Sequence, residues 1–363
     1  MKKKIIVRVI VFLIIIGGVG GYYIWGQSGG YDYHYVEAVG MEKVTLQYKQ
    51  IEDVAPNLLS LDVYTDPAFT DKPVIFYVHG GGLKNGDKTN YAAYLAKSNY
   101  FVSRGYVYIS INYRLSPEVV SPAHIADVAD AFMFIYNNIS RYGGDNHQIY
   151  IMGHSAGAYL VSLLATNEEY IENAGGSLLL IKGVISLDTW TYMSVQSWQE
   201  SELSKDPLER FEAIPANHVS AGKGIPPFLI FYRDGRKDAA VQADQLGFID
   251  LIDDNQIAAA AILCEDDSHL LVNQEIGTIG DQKTEIIMEF LVNPNNTLSI
   301  AEDYGFIAYN GRIEGTERSI NRKLTLYLVP TVIIIAGIGT YICIRRSEHN
   351  KQKNKSKTSL ERN

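Results

Sequence analysis

The 363-residue chain carries 32 Lys and Arg against 41 Asp and Glu, a net charge of −9, and only two cysteines. That length accommodates one domain of roughly 250–300 residues around a single core, and two cysteines set far apart exclude a disulfide framework. The charge is unevenly spread: residues 1–8 hold four basic groups and residues 321–363 nine basic and two acidic, so the body between them is strongly acidic and ill suited to nucleic acid or anionic lipid.

Residues 1–26 read as a transmembrane segment or signal anchor. Met1-Lys2-Lys3-Lys4 precedes an apolar stretch over 5–25 interrupted only by Arg8; a cleaved signal peptide is the alternative. Residues 27–58 form a connector, rich in Gly and Tyr at first, and a leading strand over 44–49. A second leading strand covers 59–64. The continuous apolar run 74–78 is what a strand covered on both faces requires, and 106–112 is the next. A helix follows over 123–141, with Ile125, Val128, Ala129, Phe132 and Ile135 on one stripe. Further strands are expected at 148–152, 182–187, 228–232 and 258–263. Such alternation specifies an α/β fold, a mainly parallel sheet with helices on both faces, spanning 59–293. Residues 188–224, with Trp190, Tyr192, Met193 and Trp198, exceed a simple crossover and read as a small partial cap. Residues 294–323 are polar, a stalk. Residues 324–344 read as a second transmembrane helix; 326–344 are uncharged and, at about 1.5 Å per residue, cross most of a ~30 Å hydrocarbon core. Arg345-Arg346 open a basic tail over 345–363. Both basic flanks fit the cytoplasmic side, which places the acidic domain outside the cell membrane and both termini inside.

The chemistry concentrates at Gly153-His154-Ser155-Ala156-Gly157. An apolar strand precedes it, and Tyr159, Leu160, Val161, Leu163 and Leu164 follow at helical spacing, so one serine sits at the apex of a strand–turn–helix. A serine hydroxyl needs a base. His269, directly after the last expected strand, is the candidate, since catalytic loops gather at the carboxyl ends of parallel strands. An acid must then fix the imidazole. Asp238, after the strand 228–232, gives the chain order Ser, Asp, His; Asp234 is the alternative four residues earlier. His79-Gly80-Gly81-Gly82 follows another strand, and its glycines let backbone N–H groups approach a reacting carbonyl. Gly81 and Gly82, with Ala156 beyond the serine, are the expected oxyanion donors. His154 is expected to point away from the apex and to pack.

The stretch 59–269 resembles the α/β-hydrolase superfamily, and within it the HGGG-type carboxylesterases, including the hormone-sensitive-lipase-like and feruloyl-esterase-like branches. Asn112-Tyr113-Arg114-Leu115-Ser116-Pro117-Glu118, Pro122-Ala123 with Asp127, Tyr142-Gly143-Gly144-Asp145 and Pro226-Pro227-Phe228-Leu229 carry the resemblance beyond the two motifs. It implies ester hydrolysis through an acyl-enzyme, with no metal or cofactor, on a small-molecule or glycan-borne ester. Leu83 stands where an aromatic residue usually follows the glycines, and Ala158 replaces a common third glycine of the elbow. The expectation is therefore a membrane-anchored serine esterase, probed against two rivals: a peptidase or amidase of the same fold, and a non-catalytic scaffold.

Overall fold

The computed structural model describes residues 9–16, 19–28, 31–195, 199, 201–233, 239–264, 267–297, 299–300 and 308–309. The chain divides into a unit over 1–311 and a second over 312–363, and the second lies outside the described residues.

The first three strands correct one expectation. β1 (Val9–Ile16), β2 (Val19–Ser28) and β3 (Tyr31–Ala38) pair antiparallel into a three-stranded sheet, where a membrane-spanning helix was expected over 1–26. The physical reason is composition: Val9, Ile10, Val11, Ile14, Ile15 and Ile16 are β-branched, and Gly20 and Gly21 weaken a helix. No helix among the described residues is long and apolar enough to cross a membrane, and residues 324–344 lie outside them. The sheet's last strand docks on the main body, where the Ala38 N–H donates to Asn99 Oδ1 at 2.8 Å.

Among the described residues the main sheet has nine strands. In chain order they are β4 (Glu42–Gln47), β5 (Ser60–Thr65), β6 (Lys72–Val78), β7 (Val107–Ile111), β8 (Gly144–His154), β9 (Ile181–Leu187), β10 (Phe228–Arg233), β11 (Ala259–Cys264) and β12 (Ala308–Tyr309). Their spatial order is β12-β11-β10-β9-β8-β6-β7-β5-β4. Strands β6 through β11 run parallel to one another, whereas β5 is antiparallel to both β4 and β7 and the two-residue edge strand β12 is antiparallel to β11. Each expected strand is present within a few residues. β8 begins four residues earlier than the apolar run 148–152, because the polar Gly144–Gln148 stretch extends it. β12 falls in the segment read as a stalk.

Pleating sends alternate side chains of each central strand to opposite layers. Val74, Phe76 and Val78 of β6 enter one buried cluster with Ile149 and Ile151 of β8 and Phe228 and Ile230 of β10. Ile75 and Tyr77, Tyr150 and Met152, and Leu229 and Phe231 enter the other. α2 (Ala123–Asn138), α3 (Ala156–Thr166) and α6 (Ala239–Asp254) cover the first layer, and α1 (Tyr91–Ser103) and α8 (Gln282–Val292) the second. Burial on both faces explains why these strands read as unbroken apolar runs. The short helices α4 (Glu168–Asn173), α5 (Pro207–Glu212) and α7 (Leu271–Gln274) complete the connections.

Candidate active site

Ser155 occupies the turn between β8 and α3 at φ 55° and ψ −120°. A non-glycine residue held there costs of order 1–3 kcal/mol, so its surroundings must hold it. Its N–H donates to the Leu187 carbonyl at 3.0 Å, and its carbonyl accepts the Tyr159 N–H at 3.0 Å. Gly157 allows the crossing: a Cβ there would lie 2.1 Å from the Val78 carbonyl oxygen. The helix can therefore start directly over β6 only with glycine at that position.

His269 follows β11, and its Nε2 lies 2.9 Å from Ser155 Oγ. The carboxylate on its other nitrogen is Asp188, with Oδ2 2.7 Å from Nδ1. Nδ1 therefore carries the proton and donates to Asp188, leaving Nε2 to accept from the serine hydroxyl. Asp188 is the residue directly after β9, fully buried. Burial pushes its carboxyl upward, but the hydrogen bond and charge of His269, joined by Arg233, outweigh it and hold the group below the ordinary carboxylate range. The acid expected from sequence, Asp238, and the alternative Asp234 lie outside the described residues; among those described, Asp188 is the carboxylate that bonds the imidazole. The reason is the sharp turn at Asp188, φ 48°, which aims the carboxylate back across the strand ends. The clue in the sequence was an aspartate immediately after a buried strand, hidden by its place at the start of the cap segment.

His154 packs, as expected, and the partner it packs against is the histidine loop. Its ring packs 4.6 Å from that of His269, and its Nε2 lies 2.8 Å from the His269 carbonyl oxygen. Because a carbonyl only accepts, Nε2 is the protonated nitrogen. Burial, then the His269 charge, pushes its pKa down to about 3, so it stays neutral and anchors the histidine loop. Trp190 approaches His269 edge-on at 4.8 Å from another side.

The glycine loop lies against the serine: a Cβ on Gly80 would meet Ser155 Cβ at 3.0 Å and the His154 carbonyl at 2.7 Å. Gly81 and Gly82 adopt φ 118° and 63°, and the Gly81 carbonyl accepts the Lys84 and Asn85 N–H groups, closing the turn. Gly80 thus borders Ser155, with the expected donors Gly81 and Gly82 next in the same turn, and Ala156, first in α3, has no intrahelical partner for its N–H. The segment 112–118 buttresses this loop. Tyr113 donates its hydroxyl to the His79 carbonyl at 3.0 Å and stacks on the His79 ring at 4.5 Å, and the Ser116 N–H reaches the Leu83 carbonyl at 2.8 Å. Asp127 fixes Arg114 through Nε and Nη2, both at 2.7 Å. The cap latches onto the same loop, with buried Glu202 paired to Lys84 at 2.6 Å.

Comparison with known proteins gives the family and the fold. Residues 61–249 match the model of the BD-FAE family. Among curated relatives, the probable carboxylic ester hydrolase LipM of Mycobacterium tuberculosis is 31% identical over 49% of this chain and 44% of its own length. The carboxylesterase NlhH from the same species is 28% identical over 52% and 58%. The chain spans about half the length of the curated relatives it matches. Esterase B from Lactobacillus rhamnosus superposes with a TM-score of 0.57 at 20% identity, covering 73% of this chain and 90% of that one. A carbohydrate esterase from gut microbiota gives 0.59 at 18%, covering 70% and 96%. These structural likenesses establish the α/β-hydrolase fold, and the family match over more than half of the chain establishes that it belongs to the BD-FAE family.

Proposed function

We propose that the protein is a serine carboxylic-ester hydrolase. The observation that carries this reading is the continuous line from Ser155 Oγ through His269 to Asp188, at 2.9 and 2.7 Å. His269 Nε2 takes the hydroxyl proton as Ser155 attacks the ester carbonyl. The N–H groups of Gly81, Gly82 and Ala156 receive the developing oxyanion, each worth about 3–4 kcal/mol in the transition state. The proton then passes to the leaving alcohol, and water repeats the sequence on the acyl-enzyme. The relatives named above, a probable carboxylic ester hydrolase and a carboxylesterase, support the ester reading over an amidase one. We take a short acyl group, acetyl first, as the substrate class to test.

We further propose that the apolar segment 324–344 anchors the chain in the membrane, the basic tail behind it on the cytoplasmic side and the hydrolase unit outside.

The test is hydrolysis of p-nitrophenyl acetate, butyrate and octanoate by the full chain, alongside Ser155→Ala and fluorophosphonate labelling. Turnover that prefers acetate, and that vanishes with labelling in the variant, supports the proposal. Unchanged turnover in Ser155→Ala, or absence of labelling in the wild-type chain, refutes it.

A further inference from the structure

Asp188 does not serve His269 alone. Its Oδ2, which accepts the imidazole Nδ1–H, also accepts Arg233 Nε, and its Oδ1 accepts Gln245 Nε2 at 2.9 Å. The second hydrogen of the Gln245 amide goes to the Thr189 carbonyl at 2.8 Å. Arg233 is the last residue of β10, one strand over from β9, while Gln245 comes from α6 behind it. Two elements thus converge on a single carboxylate. Asp188 is fully enclosed, whereas Arg233 keeps about a quarter of its side chain exposed. The guanidinium carbon also lies 5.8 Å from the Trp190 ring centroid, and Trp190 borders His269. Arg233, Trp190, His269 and Asp188 therefore close a ring around the acid–base pair.

We propose that Arg233 is a positioning residue that acts through Asp188 as a charge counterweight, lowering the pH at which the His269–Ser155 pair becomes active, while Gln245 fixes only the orientation of the carboxylate. This rests on the triad reading above. The physical argument is direct. A carboxylate stabilises an imidazolium through its negative charge, and a guanidinium sharing the same oxygen cancels part of that field. With Arg233 on the same oxygen, Asp188 favours the imidazolium less than it would alone. Gln245 is neutral, so it constrains geometry without altering the field.

Among the described residues, the other ionisable groups near His269 do not produce this effect. His154, packed from β8, is neutral because burial pushes its pKa down to about 3. Cys264, at the end of β11, is pushed by burial up to about 12 and stays a thiol. Asp267, in the histidine loop, is paired at 3.0 Å with Lys283 of α8, which Glu275 and Asp281 also hold. Lys97 of α1 donates to the Asn273 carbonyl and acts on His154 from behind it. Asp244 of α6 faces the cap backbone at Tyr192 and Met193. Among the described residues, Arg233 is the cation bonded to the acid itself.

The experiment is the pH profile of kcat/KM on p-nitrophenyl acetate for the full chain and for Arg233→Gln, Arg233→Lys, Gln245→Met and Asp188→Asn. Arg233→Gln is expected to move the acid limb upward by about one pH unit. Arg233→Lys, which keeps the charge, should hold the limb within a few tenths of a unit, and Gln245→Met should lower kcat with the limb in place. Should the glutamine variant fail to fold by circular dichroism, Arg233→Met, with a similar apolar stem, carries the same expectation. An acid limb that stays put or moves downward in the uncharged variant overturns the inference, as does an equal displacement in Gln245→Met. Wild-type kcat in Asp188→Asn would instead refute the triad reading, so the two failures are distinguishable.

Discussion

At the scale of single residues, the site depends on atoms that are absent as much as on those present. Gly157 lets α3 begin in contact with β6, and a methyl group there would stand 2.1 Å from the Val78 carbonyl oxygen. Backbone on both sides prevents a cheap adjustment, so Gly157→Ala should destabilise the protein by about 3 kcal/mol, read as a lower midpoint in urea denaturation. His154 makes a different kind of contribution. It bonds the His269 backbone and packs at a tilt against its ring without touching the reacting atoms. His154→Ala should therefore lower kcat by about 10-fold while KM changes little, because the loop that presents the base loosens; steady-state kinetics on p-nitrophenyl acetate checks this. A rise in KM at constant kcat would assign His154 to substrate binding instead.

Elements differ in how openly the sequence announces them. The central strands were legible because both faces are buried: Val74–Val78 and Phe228–Tyr232 are apolar without alternation, and turn residues bound them. The elbow was legible because its serine, glycines, strand and helix occur in one continuous stretch. The acid was not, since its identity depends on which of two neighbouring strand ends turns toward His269. That choice is made by tertiary contacts that have no local pattern: the Asp188 N–H donating to the Phe231 carbonyl at 2.9 Å, and Arg233 and Gln245 holding the carboxylate. The first strands failed for another reason. Apolar length suggested a span, but length alone does not distinguish a helix from paired strands, and β-branching favours the latter.

The link between cap and α6 is an element-scale feature with a pH signature. Asp244 accepts the backbone N–H groups of Tyr192 at 2.9 Å and Met193 at 3.0 Å, tying down the segment that leaves Asp188. Burial pushes its carboxyl up to about 6, although those backbone donors pull the other way. The unfolded chain releases the proton near the ordinary aspartate value, so between the two values the native state binds more protons. Stability is then fully present below the unfolded value and declines as pH rises toward the native one. A shift of about two units corresponds to about 3 kcal/mol. Urea denaturation from pH 4 to 7 should show this decline in the wild type and a shallower one in Asp244→Asn. Equal slopes would contradict it.

For the whole molecule, the acidic body and basic ends make the topology testable. Full-length protein expressed in cells should sediment with membranes and resist carbonate extraction, and deletion of residues 324–363 should release it to the soluble fraction. Protease added to intact cells should reach the hydrolase unit and leave the basic tail protected. Soluble behaviour of the full chain would overturn the anchoring proposal while leaving the chemistry untouched, because the family match lies within residues 61–249.

The catalytic account stands most directly on the identity of the acid. Turnover of p-nitrophenyl acetate should be compared in the full chain, Asp188→Asn and Asp238→Asn, with Ser155→Ala as the baseline. An asparagine at 188 keeps the shape but supplies no charge and favours the wrong imidazole tautomer, so kcat should fall by about 10⁴, while Asp238→Asn should stay within a few fold of wild type. The reverse pattern, collapse at 238 with activity kept at 188, would contradict the Ser155–His269–Asp188 triad.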